Sequence, residues 1–135
     1  MKNYEIENLR LLAKSWNNLD ASFLEGILTK NFIYKSQWVL TPLIGSDEFL
    51  TYLYFKFNAI KNAMNTHVIT VCAEMAFHNY SKVKEKPCLV ITQIILGDIH
   101  QVSVLIKNKV NKINRIDVCF IPDPSEAILT GEVPQ

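Results

Sequence analysis

Residues 31–61, NFIYKSQWVLTPLIGSDEFLTYLYFKFNAIK, combine a strand-forming segment, a proline-containing loop and a long aromatic helix. The β-branched and aromatic residues at 32–34 favour an extended strand. The residue before Pro42 is pushed out of the helical region, which keeps the chain extended up to that point. Gly45 then provides a turn, and Ser46 is expected to cap the helix that follows. This stretch therefore predicts the place where a helical layer meets a sheet.

The segments on either side of this stretch show different periodicities. Upstream, apolar residues between positions 6 and 16 recur at three- and four-residue spacing, and Asp20 is placed to cap a second short helix. Downstream, the pattern is typical of strands separated by turn-like segments, which predicts an antiparallel meander. The predicted strands cover residues 66–77, 88–96, 99–107 and 112–121. They are apolar on both faces in places, so a second layer, most simply a partner subunit, is expected on the outer face of the sheet.

Length and composition indicate one globular domain. The 135 residues contain 49% hydrophobic and 20% charged residues and no linker-like segment, so we predict a single domain over residues 1–122 and a C-terminal tail over residues 123–135. A net charge of +1 gives no electrostatic footprint for nucleic acid or an anionic membrane. The apolar runs are too short to span a bilayer. Acidic residues occupy the place of a signal peptide's apolar region, so we expect a cytoplasmic protein.

The cysteines do not form a metal-binding or disulfide pattern. Cys72, Cys88 and Cys119 are an odd number, widely spaced and without a CxxC pair. We interpret them as small buried hydrophobic residues that stay reduced. The sequence predicts no metal site and no cofactor.

The order of elements, with short motifs at their junctions, resembles the nuclear-transport-factor-2-like superfamily. The motifs are Trp-Asn-Asn-Leu-Asp at 16–20, Pro-Leu-Ile-Gly at 42–45 and Arg-Ile-Asp-Val-Cys-Phe at 115–120. The resemblance covers about residues 5–122, and the superfamily includes ketosteroid isomerases, polyketide cyclases and scytalone dehydratases. It implies an α+β fold in which N-terminal helices pack on a curved, mostly antiparallel sheet, forming a cone with a central pocket. It also implies a homodimer through the outer face of the sheet.

The resemblance does not extend to the isomerase chemistry. Isomerase-like members use a tyrosine on the first helix, an aspartate at the end of the first strand and an acid late in the sheet. These positions correspond to Leu12, Ser36 and Ser103 in this chain. None of the three chemical groups is present, so this proton-transfer mechanism is not expected.

A dehydratase- or cyclase-like enzyme is an alternative, because such members use histidine and acidic residues that face the pocket. In this chain the candidate is His67 acting with Tyr34 or Glu74. Strand alternation places His100 on the outer face, and the Arg115–Asp117 pair there too. A third hypothesis is a dimeric protein-interaction module.

The leading hypothesis is a pocket that binds a small, mostly apolar molecule. Gln93 is the lone polar residue on an otherwise apolar strand face, and a buried amide needs either internal partners or a ligand. The aromatic residues are interpreted as either core packing or ligand contacts. The predicted ligand-binding residues are Trp16, Tyr34, Ser36, Trp38, Phe57, Gln93, Ser103 and Phe120.

Overall fold

A computed structural model describes residues 3–37, 41–65, 69–78, 86–119 and 126–135. The helices are α1 (Tyr4–Asn18), a short 3-10 helix (Ala21–Leu24) and α2 (Ser46–Met64). The strands are β1 (Leu28–Ser36), β2 (Leu43–Ile44), β3 (Ile69–His78), β4 (Lys86–Ile95), β5 (Asp98–Lys109), β6 (Lys112–Cys119) and β7 (Ile128–Leu129). Within the described residues no helix has the length and hydrophobicity needed to cross a membrane.

The strands form one curved, unclosed sheet in the order β2-β1-β6-β5-β4-β3-β7. Strands β3 to β6 pair antiparallel with their sequence neighbours, which confirms the predicted meander. Strand β1 pairs parallel with β6, bringing Ser36 opposite Val118. The two α-helices pack on this sheet, so the predicted α+β fold is confirmed.

Helix α1 follows the predicted apolar stripe. The side chain of Asn3 accepts a hydrogen bond from the backbone N–H of Ile6 at 3.2 Å and so caps the first turn. Leu9 and Leu12 are buried against the sheet. The predicted Asp20 cap is also confirmed, because its carboxylate accepts the Ser22 N–H at 2.9 Å.

Helix α2 differs from the prediction at its start and on its flank. Gly45, not Ser46, is the N-cap residue, with φ 99° and no side-chain cap. Phe49 and Phe57 are buried as expected. Phe55, however, is 78% exposed, so the aromatic residues of this helix are not all buried in the core.

The C-terminal residues 126–135 lie along the free edge of β3. Strand β7 pairs with β3 at residues 76 and 77. The Met75 N–H donates to Glu132 O at 2.8 Å, and Met75 O accepts the Thr130 N–H at 3.0 Å. The segment therefore covers the backbone groups of an edge strand, which are otherwise open to pairing with another chain. The predicted boundary between residues 122 and 123 lies outside the described residues.

Candidate functional site

A cavity of about 390 Å³ lies between the helices and the inner face of the sheet. Most of its wall is aliphatic or aromatic. The lining residues are Leu12, Trp16, Tyr34, Ser36, Phe49, Tyr52, Leu53, Lys56, Ile91, Gln93, Ile95, His100, Val102, Val104, Ile116 and Val118.

Two simple periodicities bring these residues together. On the strands, alternate side chains face the same side, so Tyr34 and Ser36 of β1 both point inward. The cross-strand pair of Gln93 on β4 and His100 on β5 follows the same rule. On α2, spacings of three and four residues keep the four lining residues between positions 49 and 56 on one helical face.

A row of polar side chains extends along the cavity wall. The Nζ of Lys56 donates to the Tyr52 hydroxyl at 3.3 Å. The Tyr34 hydroxyl is hydrogen-bonded with both Tyr52 and Ser36. Lys56 and Tyr52 are half-buried, whereas Tyr34 and Ser36 are buried, so the row leads from the half-exposed end of the cavity into its interior.

Tyr34 stays a neutral phenol in this setting. Burial is the main reason that its pKa is raised above the ordinary value, and the adjacent Tyr52 raises it further, while the hydrogen bond with Ser36 lowers it. A phenol with a raised pKa is a hydrogen-bond donor and not a general base near neutral pH. Tyr34 can therefore orient a ligand or a neighbouring hydroxyl, but it does not remove a proton.

Aromatic rings surround the lysine. The Nζ of Lys56 lies 5.8 Å from the ring centroids of both Trp16 and Tyr52, which is within cation–π range. Phe57 meets Trp16 edge to face, with centroids 4.9 Å apart. Trp16 is thus held between the core and the cavity.

Four of the predicted ligand-binding residues line the cavity: Trp16, Tyr34, Ser36 and Gln93. Phe57 is 2% exposed and packs behind Trp16, so it supports the wall without lining it. Trp38 and Phe120 lie outside the described residues.

The structure places Ser103 outside the cavity, although the sequence predicts it among the ligand-binding residues. Its neighbours Val102 and Val104 line the wall, so alternation turns Ser103 to the opposite face of the sheet. There its hydroxyl lies 3.0 Å from the Nε2 of His78, and both residues are buried. His78 itself ends β3, although the sequence predicts it in a loop.

The structure also corrects the predicted position of His100. It was expected on the outer face, but it is on the same face as Val102 and Val104 and lines the cavity. Its side chain is exposed, which places it at the rim. The expected Arg115–Asp117 ion pair does form on the outer face, with Nε 2.8 Å from Oδ2.

Of the residues proposed for the alternative enzyme, Tyr34 and Glu74 lie on opposite faces of the sheet. Glu74 faces away from the cavity, and its carboxylate accepts the Gly131 N–H at 3.0 Å. Tyr34 lines the cavity on the inner side of the sheet. His67 lies outside the described residues. In the part of the chain that the structure describes, no cluster of three histidine, cysteine or acidic side chains is arranged to hold a metal ion.

Lys56 and Tyr52 were missed by sequence reasoning. Both lie next to the buried residues of α2, which are Phe49, Leu53 and Phe57. Their spacing of four residues was a usable signal, because side chains at i and i+4 are neighbours on a helix.

No family model matches the sequence, and no curated protein matches it significantly. Solved structures do match its fold. A protein of unknown function from Cytophaga hutchinsonii, described as NTF2-like, aligns with a TM-score of 0.56 at 13% identity, over 90% of this chain and 95% of its own. A proposed polyketide cyclase from Sinorhizobium meliloti aligns with a TM-score of 0.54 at 13% identity, over 84% and 93%. A de novo designed protein with a curved β-sheet aligns with a TM-score of 0.53 at 13% identity, over 87% and 86%.

These likenesses define the class of fold. The chain is an α+β cone with a curved sheet, and its fold is that of the nuclear-transport-factor-2-like proteins. The resemblance predicted from the sequence is confirmed at this level. At 13% identity the comparison shows the fold and not a shared activity.

Proposed function

We propose that the protein binds a small, mostly apolar molecule in the cavity between α2 and the sheet. The observation that carries the proposal is a cavity of about 390 Å³ with an aliphatic and aromatic wall and a few convergent polar groups. Ligand pockets are typically about 300–1,000 Å³ and have this composition. The lining supplies Tyr34, Ser36 and Gln93 as groups that can orient a bound molecule.

The chemistry of the wall supports binding over isomerase catalysis. Leu12 and Ser36 line the cavity at two positions where related isomerases carry their reactive groups. The third falls on β5, where Val102 and Val104 face inward and Ser103 does not. A serine hydroxyl is a poor base unless a neighbour deprotonates it. The cavity thus offers shape and hydrogen bonds without the carboxylates that move a proton in those enzymes.

The test is a direct binding measurement with a neutral apolar probe. N-Phenyl-1-naphthylamine becomes fluorescent in an apolar site and is expected to bind with one site per chain. Val102→Phe adds an aromatic ring to the cavity wall and should weaken binding at least about 10-fold, because buried space is taken from the probe. Ile99→Phe is the matched control, since Ile99 is 66% exposed on the opposite face of the same strand.

The control variant should bind the probe as the wild type does. Thermal denaturation of both variants checks that they remain folded. If the probe does not bind the folded wild type, or if Val102→Phe and Ile99→Phe have the same effect, the proposed function is wrong.

We also propose that two copies of the chain pair through the outer face of the sheet. This face carries Ile94 and Leu105, both half-buried, and the exposed Ile99. Gln101 donates to Thr92 at 3.0 Å beside them, so the face is mixed rather than uniformly polar. Such a face is typical of the non-obligate kind of interface.

Sedimentation velocity tests the pairing. The wild type should sediment as a dimer at micromolar concentration, and Ile99→Glu should shift it toward a monomer because a carboxylate is then buried in the contact. A wild type that is monomeric at all concentrations contradicts the pairing, and leaves the cavity proposal unaffected.

A further inference from the structure

We propose that the molecule bound in the cavity is an amphipathic anion, an apolar body carrying one acidic oxygen group, and that the Lys56 ammonium binds this group with the Tyr52 hydroxyl beside it. This inference rests on the proposed function and specifies the class of ligand.

Lys56 has a different environment from the paired cations of the structure. The Nζ of Lys86 is 2.6 Å from a Glu5 carboxylate oxygen, and the Nε of Arg10 is 2.7 Å from Glu132. Lys56 contacts the Tyr52 hydroxyl and two aromatic rings instead. In the segments that the structure describes, no carboxylate is within ion-pairing distance of its Nζ. An ammonium has three N–H donors, and one bond to Tyr52 leaves capacity for a ligand oxygen.

The wall around Lys56 favours an anion. Among the described lining residues there is no aspartate or glutamate, so the permanent charge on the wall is that of Lys56. Burial raises the pKa of Tyr34, so this side chain adds no negative charge to the wall near neutral pH. A positive charge at the edge of an apolar cavity attracts an anion more strongly than it would in bulk water, because the surrounding protein has a lower effective dielectric constant.

The position of Lys56 also fixes the orientation of the ligand. Its side chain is half-buried, so an acidic group bound there keeps contact with solvent and avoids the large penalty of full burial. The apolar part of the molecule then extends along the aliphatic wall formed by Ile91, Val104 and Ile116, all nearly fully buried. Tyr52 is the second donor at the anionic end.

The experiment compares two nearly isosteric competitors for bound N-phenyl-1-naphthylamine. 2-Naphthoate and 2-naphthamide share the same ring system and differ in charge. Naphthoate should displace the probe from the wild type at about 10-fold lower concentration than naphthamide, as expected for a hydrogen bond between charged partners. Lys56→Met should remove this preference by weakening naphthoate about 10-fold, while naphthamide and the probe itself change less than about twofold.

Two further variants separate charge from packing. Lys56→Arg keeps the positive charge and should retain most of the preference for naphthoate. Lys61→Met removes an exposed lysine from the same helix, away from the cavity lining, and should leave both competitors unchanged. Circular dichroism confirms that each variant is folded.

The outcomes distinguish this inference from the proposed function. If the probe binds and the two competitors are equal, or if Lys56→Met and Lys61→Met behave alike, the anionic ligand is wrong while the apolar cavity stands. If the neutral probe does not bind the folded wild type, the proposed function is wrong and the anionic ligand is overturned with it.

Discussion

Replacing Asn17 by alanine is expected to destabilise the contact between α1, β3 and the C-terminal residues. The Asn17 Nδ2 donates to Ala73 O at 2.9 Å and to Pro134 O at 2.6 Å, and its Oδ1 accepts the Ala73 N–H at 2.7 Å. Ala73 is fully buried, so both of its backbone groups lose the partner that Asn17 provides at the edge of β3. Each buried unsatisfied group costs about 1–3 kcal/mol. Because Asn17 is half-buried and some water can enter, we expect a total loss of about 2–3 kcal/mol.

The matched control is the next residue, Asn18. It is exposed, and its Nδ2 donates to Lys14 O within the same helix. Asn18→Ala should change the free energy of unfolding by less than about 0.5 kcal/mol. Urea denaturation followed by far-UV circular dichroism measures the free energy of unfolding of both variants. In thermal denaturation, the Tm of Asn17→Ala should fall by roughly 6–12 °C. The reasoning is refuted if the two alanine variants have equal stability, since the side chain of Asn17 would then not stabilise the edge strand.

Three other predictions concern a cap, a turn and a thiol. Hydrogen bonds from the hydroxyl and the backbone N–H of Ser22 lower the pKa of Asp20. The Asp20 carboxylate therefore stabilises the folded state above its unfolded-state pKa. This stabilisation is lost as the pH falls through the lower folded-state pKa. In acid denaturation, wild type should therefore lose more stability below about pH 4 than Asp20→Asn, and equal pH profiles would contradict this. Gly45→Ala should lower the free energy of unfolding by about 1–3 kcal/mol in urea denaturation, because φ is 99° at this position; an unchanged midpoint would show that the turn tolerates a side chain. Burial raises the pKa of Cys88 to about 12, so iodoacetamide at pH 8 should label half-buried Cys72 first and Cys88 only on unfolding, as peptide mass spectrometry will show.

The elements that depend on local periodicity could be predicted from the sequence. The spacing of Leu9 and Leu12 fixes the buried face of α1, and the carboxylate of Asp20 is sufficient to place the next cap. Alternation along β4 places Gln93 among apolar neighbours on the inner face. In each case the decisive interactions lie within a few residues of one another, so the sequence pattern contains them directly.

The features that depend on distant pairing could not be predicted in the same way. The parallel pairing of Ser36 with Val118 joins residues far apart in the chain, and no local pattern specifies it. Strand β7 and the residues after it form by the same kind of long-range contact with Met75. The error at Ser103 has a related cause. Its position was transferred from the resemblance, and a shift of one residue along a strand moves a side chain to the opposite face.

The residue at position 36 bears on the proposed binding of an anion in the cavity. Ser36 is 6% exposed and is linked through Tyr34 and Tyr52 to Lys56. The resemblance drawn from the sequence assigns a carboxylate to this position in isomerase-like proteins, and a carboxylate here would add a buried negative charge to the same row and compete with any anionic ligand for the lysine. With a neutral serine in its place, the lysine charge is left available. The proposed preference for an anion therefore depends on a neutral residue at position 36, and Ser36→Asp should weaken naphthoate binding while leaving naphthamide less affected.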